Sequence, residues 1–454
     1  MNSFDVVVVG WGKGGKTIAG ALARAGRTVA MIERSTQMYG GACINVACIP
    51  TKALIHSAEV RTGHDFDPEY FAASVDRRDT LTGKMRQKNY AMLADLDTVV
   101  VFDGEARFTG PKTLMVTSGD DTLEVTGETV LINTGSQPTL PDIPGAEITG
   151  RVYDSITLQH APLPEHLVVI GGGYIGIEFS SMFAQYGSQV TVLDRNPRPL
   201  AKDDSDVAAE VAHSLVDSGV TFVCDAHVRS ITQDEGSATV VYEQDGAEAS
   251  VGTDAVLLAL GRTPATAALD LPAAGIRTTE RGAVQVDDHL ETSVPGVYAL
   301  GDVNGGPQFT YISLDDNRIV LDRLLGSGRR TTTDRVAVPS TIFTTPPFSK
   351  VGLSEEQARQ AGHPVKVAVK KIADIAAMPR PKIVGDARGM IKIIVDGRSD
   401  LILGAALVHV DSQEVINFVA LAMRHDITAT ELKDTIYTHP SSTEALNEVL
   451  STLR

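Results

Sequence analysis

The feature that most constrains this chain is a pattern it contains twice. Residues 5–34 read DVVVVGWGKGGKTIAGALARAGRTVAMIER, and residues 166–195 read HLVVIGGGYIGIEFSSMFAQYGSQVTVLDR. Offset by 161 positions, the two agree step by step: an apolar run, G-x-G-x-x-G, a segment with apolar residues at helical spacing, a glycine, a second apolar run, an acid and an arginine. Continuous apolar runs such as VVVV and LVVI suit strands covered on both faces, and a 3.6-residue period between them suits a crossover helix. Each copy is predicted to be a βαβ unit, and the fold class that follows is α/β.

The glycines are Gly10, Gly12 and Gly15 in the first copy and Gly171, Gly173 and Gly176 in the second. In such a unit the first glycine allows the tight turn, the second lets a pyrophosphate approach the backbone, and the third lets the helix pack close to the strand. The helix start then offers unpaired N–H groups to phosphate charge. Glu33 and Asp194 each fall 23 residues after the first glycine of their copy, where a carboxylate can take ribose hydroxyls. Two dinucleotide sites in one chain imply electron transfer between two cofactors.

Composition narrows the partners. The 454 residues are enough for about three domains of roughly 150 each. A net charge of −17 argues against nucleic acid or an anionic membrane as the main partner, since both need a basic footprint. The longest apolar runs, such as LILGAALVHV, reach 10 residues, half of what a spanning helix needs. No basic n-region precedes DVVVVG, so no signal peptide is expected, and three cysteines are too few for a disulfide-stapled secreted design. A cytoplasmic location is expected, where a close cysteine pair serves catalysis or metal binding more often than structure.

Two of the cysteines, Cys43 and Cys48, stand in GGACINVACIPTK, residues 40–52. In an undistorted α-helix their Cα atoms would lie roughly 8 to 9 Å apart, beyond the reach of about 7 Å that a disulfide allows. A loop or distorted first turn is predicted there, loosened by Gly40 and Gly41, with Pro50 near the start of a regular helix through TKALIHSAEV. Zinc is not expected, because no further cysteine or paired histidine lies nearby. A redox pair and a pair of inert buried thiols both remain open on these residues alone. Cys224 lies outside any motif and reads as a buried strand residue.

GGACINVACIPTK resembles the redox-active segment of the class I pyridine nucleotide-disulfide oxidoreductases, flavoproteins that include glutathione reductase, dihydrolipoyl dehydrogenase and mercuric reductase. The resemblance runs along nearly the whole chain, through GEARF at 104–108, NTGSQP at 133–138, GRTP at 261–264, TSVPGVYALGD ending at Asp302, FTTPPFSKVGLSE and HPSSTE at 439–444. MYGGACIN, QFTYISLDDNRIV and the double proline of TTPPFSKVG resemble one subgroup most, the bacterial reactive-chlorine-resistance flavoproteins, reported to reduce hypothiocyanous acid or copper(II). The implied architecture is two Rossmann-like dinucleotide-binding domains plus a C-terminal α+β dimerisation domain. FAD binding would fall to residues 1–148 and 268–335, NAD(P) binding to 149–267 and dimerisation to 336–454.

The resemblance also implies residue roles. In the FAD copy, Glu33 would take the adenine-side ribose and Ala106 would offer backbone to the adenine. Arg34, Gly41, Ala42, Gly135 and Gly301 join it as FAD contacts, with Asp302 at the ribitol or phosphate region. Lys52 would lie near the flavin and pair with Glu178. In the second copy, Tyr174 would cover the flavin face until nicotinamide arrives, and Ile175, Val228 and Gly261 would line the nucleotide site. Electrons would pass from NAD(P)H to the flavin, then to a Cys43–Cys48 disulfide through Cys48, releasing Cys43 as the interchange thiolate that meets substrate. Its pKa must be lowered by a nearby cation or base. The candidate is His439, oriented by Glu444 and, as the family implies, supplied by the second subunit of a homodimer. His439–Pro440 is a candidate cis bond.

Departures from the family pattern refine these expectations. Ala47 stands where the family often has glycine, so its backbone should stay right-handed. The end VLSTLR carries no cysteine pair, which argues against two-site mercury handling. Asp194 favours NADH by repelling a 2′-phosphate, while Arg195 and Arg198 could accommodate NADPH. Arg34 occupies the position of Arg195 in the FAD copy, where no 2′-phosphate binds, so NADH is expected. Reduction of a small oxidant such as hypothiocyanous acid is the leading function. The alternatives are copper(II) reduction, turnover of lipoamide or a low-molecular-weight disulfide, and a flavin redox sensor without turnover.

Overall fold

The computed structural model describes residues 2–63 and 65–454. The strand Asn2–Val9 shows why the apolar run is continuous. Val7 and Val9 point into one core, with Ala30 and Ile32 of the parallel strand Val29–Glu33. Val6 and Val8 point into another, with Val29 and Met31. Both faces of the sheet are covered along Val6–Val9, so none of these four positions can be polar without cost. Full burial of each valine contributes about 1.5 to 3 kcal/mol.

By its contacts the chain divides into two compact units, one of Met1–Leu54, Ala73–Thr139 and Gly261–Arg335, the other of Ile55–Ala72, Leu140–Leu260 and Val336–Arg454. In the first, the sheet runs in the order Val99–Asp103, Val29–Glu33, Asn2–Val9, Asp121–Ile132, Thr113–Ser118, Glu105–Gly110, with Val297–Ala299 also paired to Asp121–Ile132. Its first four strands in that order are parallel, and the two strands beyond Asp121–Ile132 are antiparallel. The helix Lys13–Arg24 covers one face through Ile18, Ala19, Leu22 and Ala23, beside Ile319 and Val320 of the helix Thr310–Leu325.

The second unit repeats the βαβ plan. Its sheet orders Val220–Val223, Gln189–Leu193, His166–Ile170, Ala255–Leu258 and Val152–Tyr153, all parallel, with the helix Tyr174–Gln185 as crossover. A three-stranded antiparallel meander, His227–Gln233, Ala238–Gln244 and Ala247–Thr253, follows. Residues from 340 onward build a five-stranded antiparallel sheet in the order Ser340–Ile342, Phe348–Gly352, Ile402–Val408, Met390–Asp396, Val365–Lys371. Its core takes Val415, Ile416, Val419 and Ala420 from the helix Ser412–Arg424 and Leu446 and Val449 from Ala445–Leu450. This is the α/β plan with an α+β C-terminal region. No described helix is long and apolar enough to cross a membrane.

Candidate active site

Both glycine motifs turn as their spacing requires. Gly10 and Gly171 have φ of +96° and +111°, a region that side chains rarely adopt. A Cβ on Gly12 would sit 2.3 Å from Asn133 Oδ1, and one on Gly15 would sit 2.9 Å from the same atom and 3.0 Å from Val8. Asn133 cannot easily yield. Its Oδ1 accepts from Gly15 N (2.9 Å) and its Nδ2 donates to Leu300 O (2.5 Å). Ser313 Oγ likewise accepts from Gly14 N (3.0 Å). In the second motif, a Cβ on Gly176 would strike Gly171 O at 1.9 Å, whereas Gly173 faces open space.

The two acids are built alike. Glu33 accepts Trp11 N (3.1 Å) and Ser35 N (3.2 Å) on its two oxygens, and Asp194 accepts Gly172 N and Asn196 N (both 3.0 Å). Burial pushes the Glu33 carboxyl above its ordinary pKa, against the lowering pull of these N–H groups and of exposed Arg34. Each helix start, at Gly12 and Gly173, lacks a side-chain cap and has no acid in its first turn, which fits a bound diphosphate. In the first unit Asp302 Oδ2 accepts from Ser136 Oγ (2.6 Å), and Arg262 Nε donates to that hydroxyl (2.9 Å). Gly301, at φ +74°, donates its N–H to the fully buried Asp316 (2.6 Å). Gly135 is left-handed at φ +73°, and Ala106 is buried in the ladder opposite Val116. These residues fit FAD.

The cysteine segment lies against the first glycine loop. A Cβ on Gly41 would come within 2.8 Å of Gly12 Cα and 3.1 Å of Trp11 O. Gly40 and Gly41 are both left-handed, then Ala42–Asn45 forms one helical turn. The chain breaks at Val46 and Ala47, and a helix restarts at Cys48–Glu59. The break is the distortion that the spacing demanded, and Ala47 is not left-handed. Asn45 locks the turn by donating to Tyr39 O and Gly41 O (both 3.0 Å). Thr310, at the start of the helix Thr310–Leu325, has its Oγ1 3.5 Å from Cys48 Sγ.

In this chain the Cys43 thiol is pushed up, contrary to the lowering that its expected role requires. A hydrogen bond donated by Cys43 to Cys48, burial and the neighbouring Cys48 charge all raise it, while Thr310 and Lys16 act to lower it. The reason is physical: two thiols side by side share one proton more readily than they bear two charges.

Lys52 lies one turn past Cys48, in the first unit, and Glu178 lies in the second, where its Oε1 accepts from Phe343 N (2.8 Å). His439 is largely exposed, with Nδ1 2.9 Å from Glu444 Oε2, and Glu444 Oε1 accepts from Ser441 N (2.9 Å). The His439–Pro440 bond is cis. Lys350 Nζ lies 5.3 Å from the centre of the Tyr174 ring and is bonded to Asp203. Ile175 is half-buried on the same helix. Val228 adjoins a bulge in its strand, and Gly261 O accepts from Thr139 N (3.0 Å). Arg195 is exposed. Arg198, which could have accommodated a 2′-phosphate, donates to the carbonyls of Leu200, Ala201 and Asp203, closing its own loop. Cys224 is half-buried and lies just past the strand Val220–Val223, so it is not a buried strand residue.

Residues 4–316 match the family described as pyridine nucleotide-disulphide oxidoreductase, and residues 338–450 match the dimerisation domain of that family. The chain belongs to the pyridine nucleotide-disulphide oxidoreductases. It is a flavoprotein oxidoreductase by that membership. Among oxidoreductases of this family it is 45% identical to the probable pyridine nucleotide-disulfide oxidoreductase RclA of Escherichia coli (strain K12), over 100% of both chains. It is 30% identical to a mercuric reductase of Staphylococcus aureus, covering 98% of this chain and 81% of that one. A solved structure, the Cu(II) complex of the HOCl-induced flavoprotein disulfide reductase RclA from Escherichia coli, superposes with a TM-score of 0.94 at 46% identity and covers 99% of each chain. Four positions of this oxidoreductase escaped the motif reading: Lys16, Asn133, Thr310 and Ser313. Asn133 stands inside NTGSQP and Ser313 inside SLDDNR, so the strings were visible while their contacts were not.

Proposed function

We propose that this oxidoreductase passes electrons from NAD(P)H through FAD and a Cys43–Cys48 dithiol to a small oxidant, with hypothiocyanous acid as the leading substrate. The observation that carries this reading is the packing of Gly41 on Gly12, which brings the cysteine segment against the first glycine loop within one unit. FAD held by Gly10, Gly12, Gly15, Glu33 and Asp302 would supply a two-electron relay between a hydride donor and the disulfide. Cys48 would take the electrons and Cys43 would meet the oxidant. The Cys43 thiolate attacks the electrophilic sulfur of hypothiocyanous acid, and hydroxide leaves as water after taking a proton. Cys48 then closes the disulfide and thiocyanate departs.

His439 would come from the second subunit of a homodimer, its ring oriented by Glu444 so that Nε2 can hold and return the proton. Lys52 with Glu178 is the supporting pair that the family resemblance implies. Asp194 together with the committed guanidinium of Arg198 supports NADH over NADPH, so KM for NADH should be the lower. A compartment supplied with reduced nucleotide, the cytoplasm, suits the reaction.

Copper(II) reduction is a second reading, supported by the copper-bound structure of the relative. An oxidant panel tests both. With NADH, turnover of hypothiocyanous acid but not of Cu(II), lipoamide or glutathione disulfide is expected. Turnover confined to lipoamide would contradict the proposal, and negligible NADH oxidation with every oxidant would point to a sensor.

A further inference from the structure

Lys16 stands in the first turn of the helix Lys13–Arg24, directly after Gly15, and has no part in the roles assigned above. Its half-buried side chain reaches across to the cysteine segment. Nζ donates to Gly40 O (3.2 Å), three residues before Cys43, and to Asn89 Oδ1 (2.5 Å) on the helix Pro68–Ala94. The Asn89 amide cannot turn away without loss, because its Nδ2 donates to Met85 O (2.8 Å). The ammonium is therefore held by two acceptors rather than left to swing in solvent.

We propose that Lys16 is a positioning residue for the Cys43 thiolate, supplying from within the same subunit the positive charge that this sulfur needs. The inference rests on the reading of Cys43 as the interchange cysteine. Cys48 raises the Cys43 pKa while the Thr310 hydroxyl and the Lys16 ammonium lower it, and of those two Lys16 is the one that carries a charge. Burial and neighbouring Lys13 push Lys16 down to about 8, while Cys43 pulls it up. A lysine at that value is still mostly protonated at neutral pH, and a thiolate beside it holds the proton more firmly. The partner's imidazole then has a proton to move rather than a whole charge to balance.

The test is alkylation of the holoenzyme after anaerobic two-electron reduction with dithionite. Iodoacetamide is the probe: a sulfur–carbon bond forms and iodide leaves, so the rate follows the thiolate fraction, and mass spectrometry identifies the cysteine labelled. In the unsubstituted enzyme Cys43 should label first. If Cys48 does so instead, the assignment of the interchange cysteine fails whatever Lys16 does. In Lys16→Met the midpoint of the Cys43 profile should rise by about one unit, slowing labelling at pH 7 about tenfold, and Lys16→Arg should restore it. An unchanged profile in Lys16→Met with FAD retained would overturn the inference. If Lys16→Met loses FAD, Asn89→Ala decides: it frees the ammonium without removing it, and the midpoint must still rise. No rise there overturns the proposal.

Discussion

At Cys43 the balance of neighbouring charges decides reactivity, and Thr310 is the neutral member of that balance. Its hydroxyl lies 3.5 Å from Cys48 Sγ and acts to lower the Cys43 pKa, which favours the thiolate. Thr310→Val keeps the shape and removes the donor. The acid limb of the kcat/KM profile should then move up by about one unit, and turnover below that limb should fall about tenfold, read from steady-state rates between pH 5.5 and 9. The sign follows from the chemistry: the lost bond stabilised the charged form, so less thiolate exists at a given pH. The cysteines and His439 were legible in the sequence because each lies in a short string whose residues act on one another locally. The role of Thr310 was not: the residue stands inside QFTYISLDDNRIV, but its contact to Cys48 spans 262 residues and is made only in the folded chain.

At the scale of elements, the two βαβ units were legible because burial on both faces forces an unbroken apolar run and the turn forces glycine. The fastening of the first helix was not. It depends on Asn133, Ser313 and Leu300, which only the folded sheet brings to Gly14 and Gly15. The C-terminal sheet carries a polar defect that sequence periodicity also hides. His409 follows the strand Ile402–Val408, is fully buried, and has its Nδ1 2.5 Å from Val410 O. Among the described residues its Nε2 has no hydrogen-bond partner. Burial pushes its pKa down from 6.5 to about 4, opposed by Val410 O and Asp411. Between those values the unfolded chain binds a proton that the folded one refuses, so stability falls as pH drops through that window. The loss reaches about 3 kcal/mol by pH 4. His409→Leu should remove this slope, measured as the difference in urea unfolding free energy between pH 7 and pH 4.5. An equal acid loss in both proteins would refute the assignment.

At the scale of the whole molecule, the proposed reaction needs two subunits for one site. Ile436, three residues before His439, is 97% exposed in the single chain. Cys43→Ser and His439→Ala should each be nearly inactive as pure dimers. When the two are mixed under subunit exchange, hybrid dimers should recover about a quarter of full activity, since half the dimers would carry one complete site. Absence of recovery, with exchange verified by mass, would place His439 in its own subunit's site or outside catalysis. The central claim is that electrons reach the outside through Cys48 and then Cys43, and anaerobic titration of the purified holoenzyme with NADH tests it most directly. Addition of two electrons should produce a long-wavelength thiolate–flavin charge-transfer band that is lost in Cys48→Ser; absence of the band, or its survival in Cys48→Ser, would contradict the account.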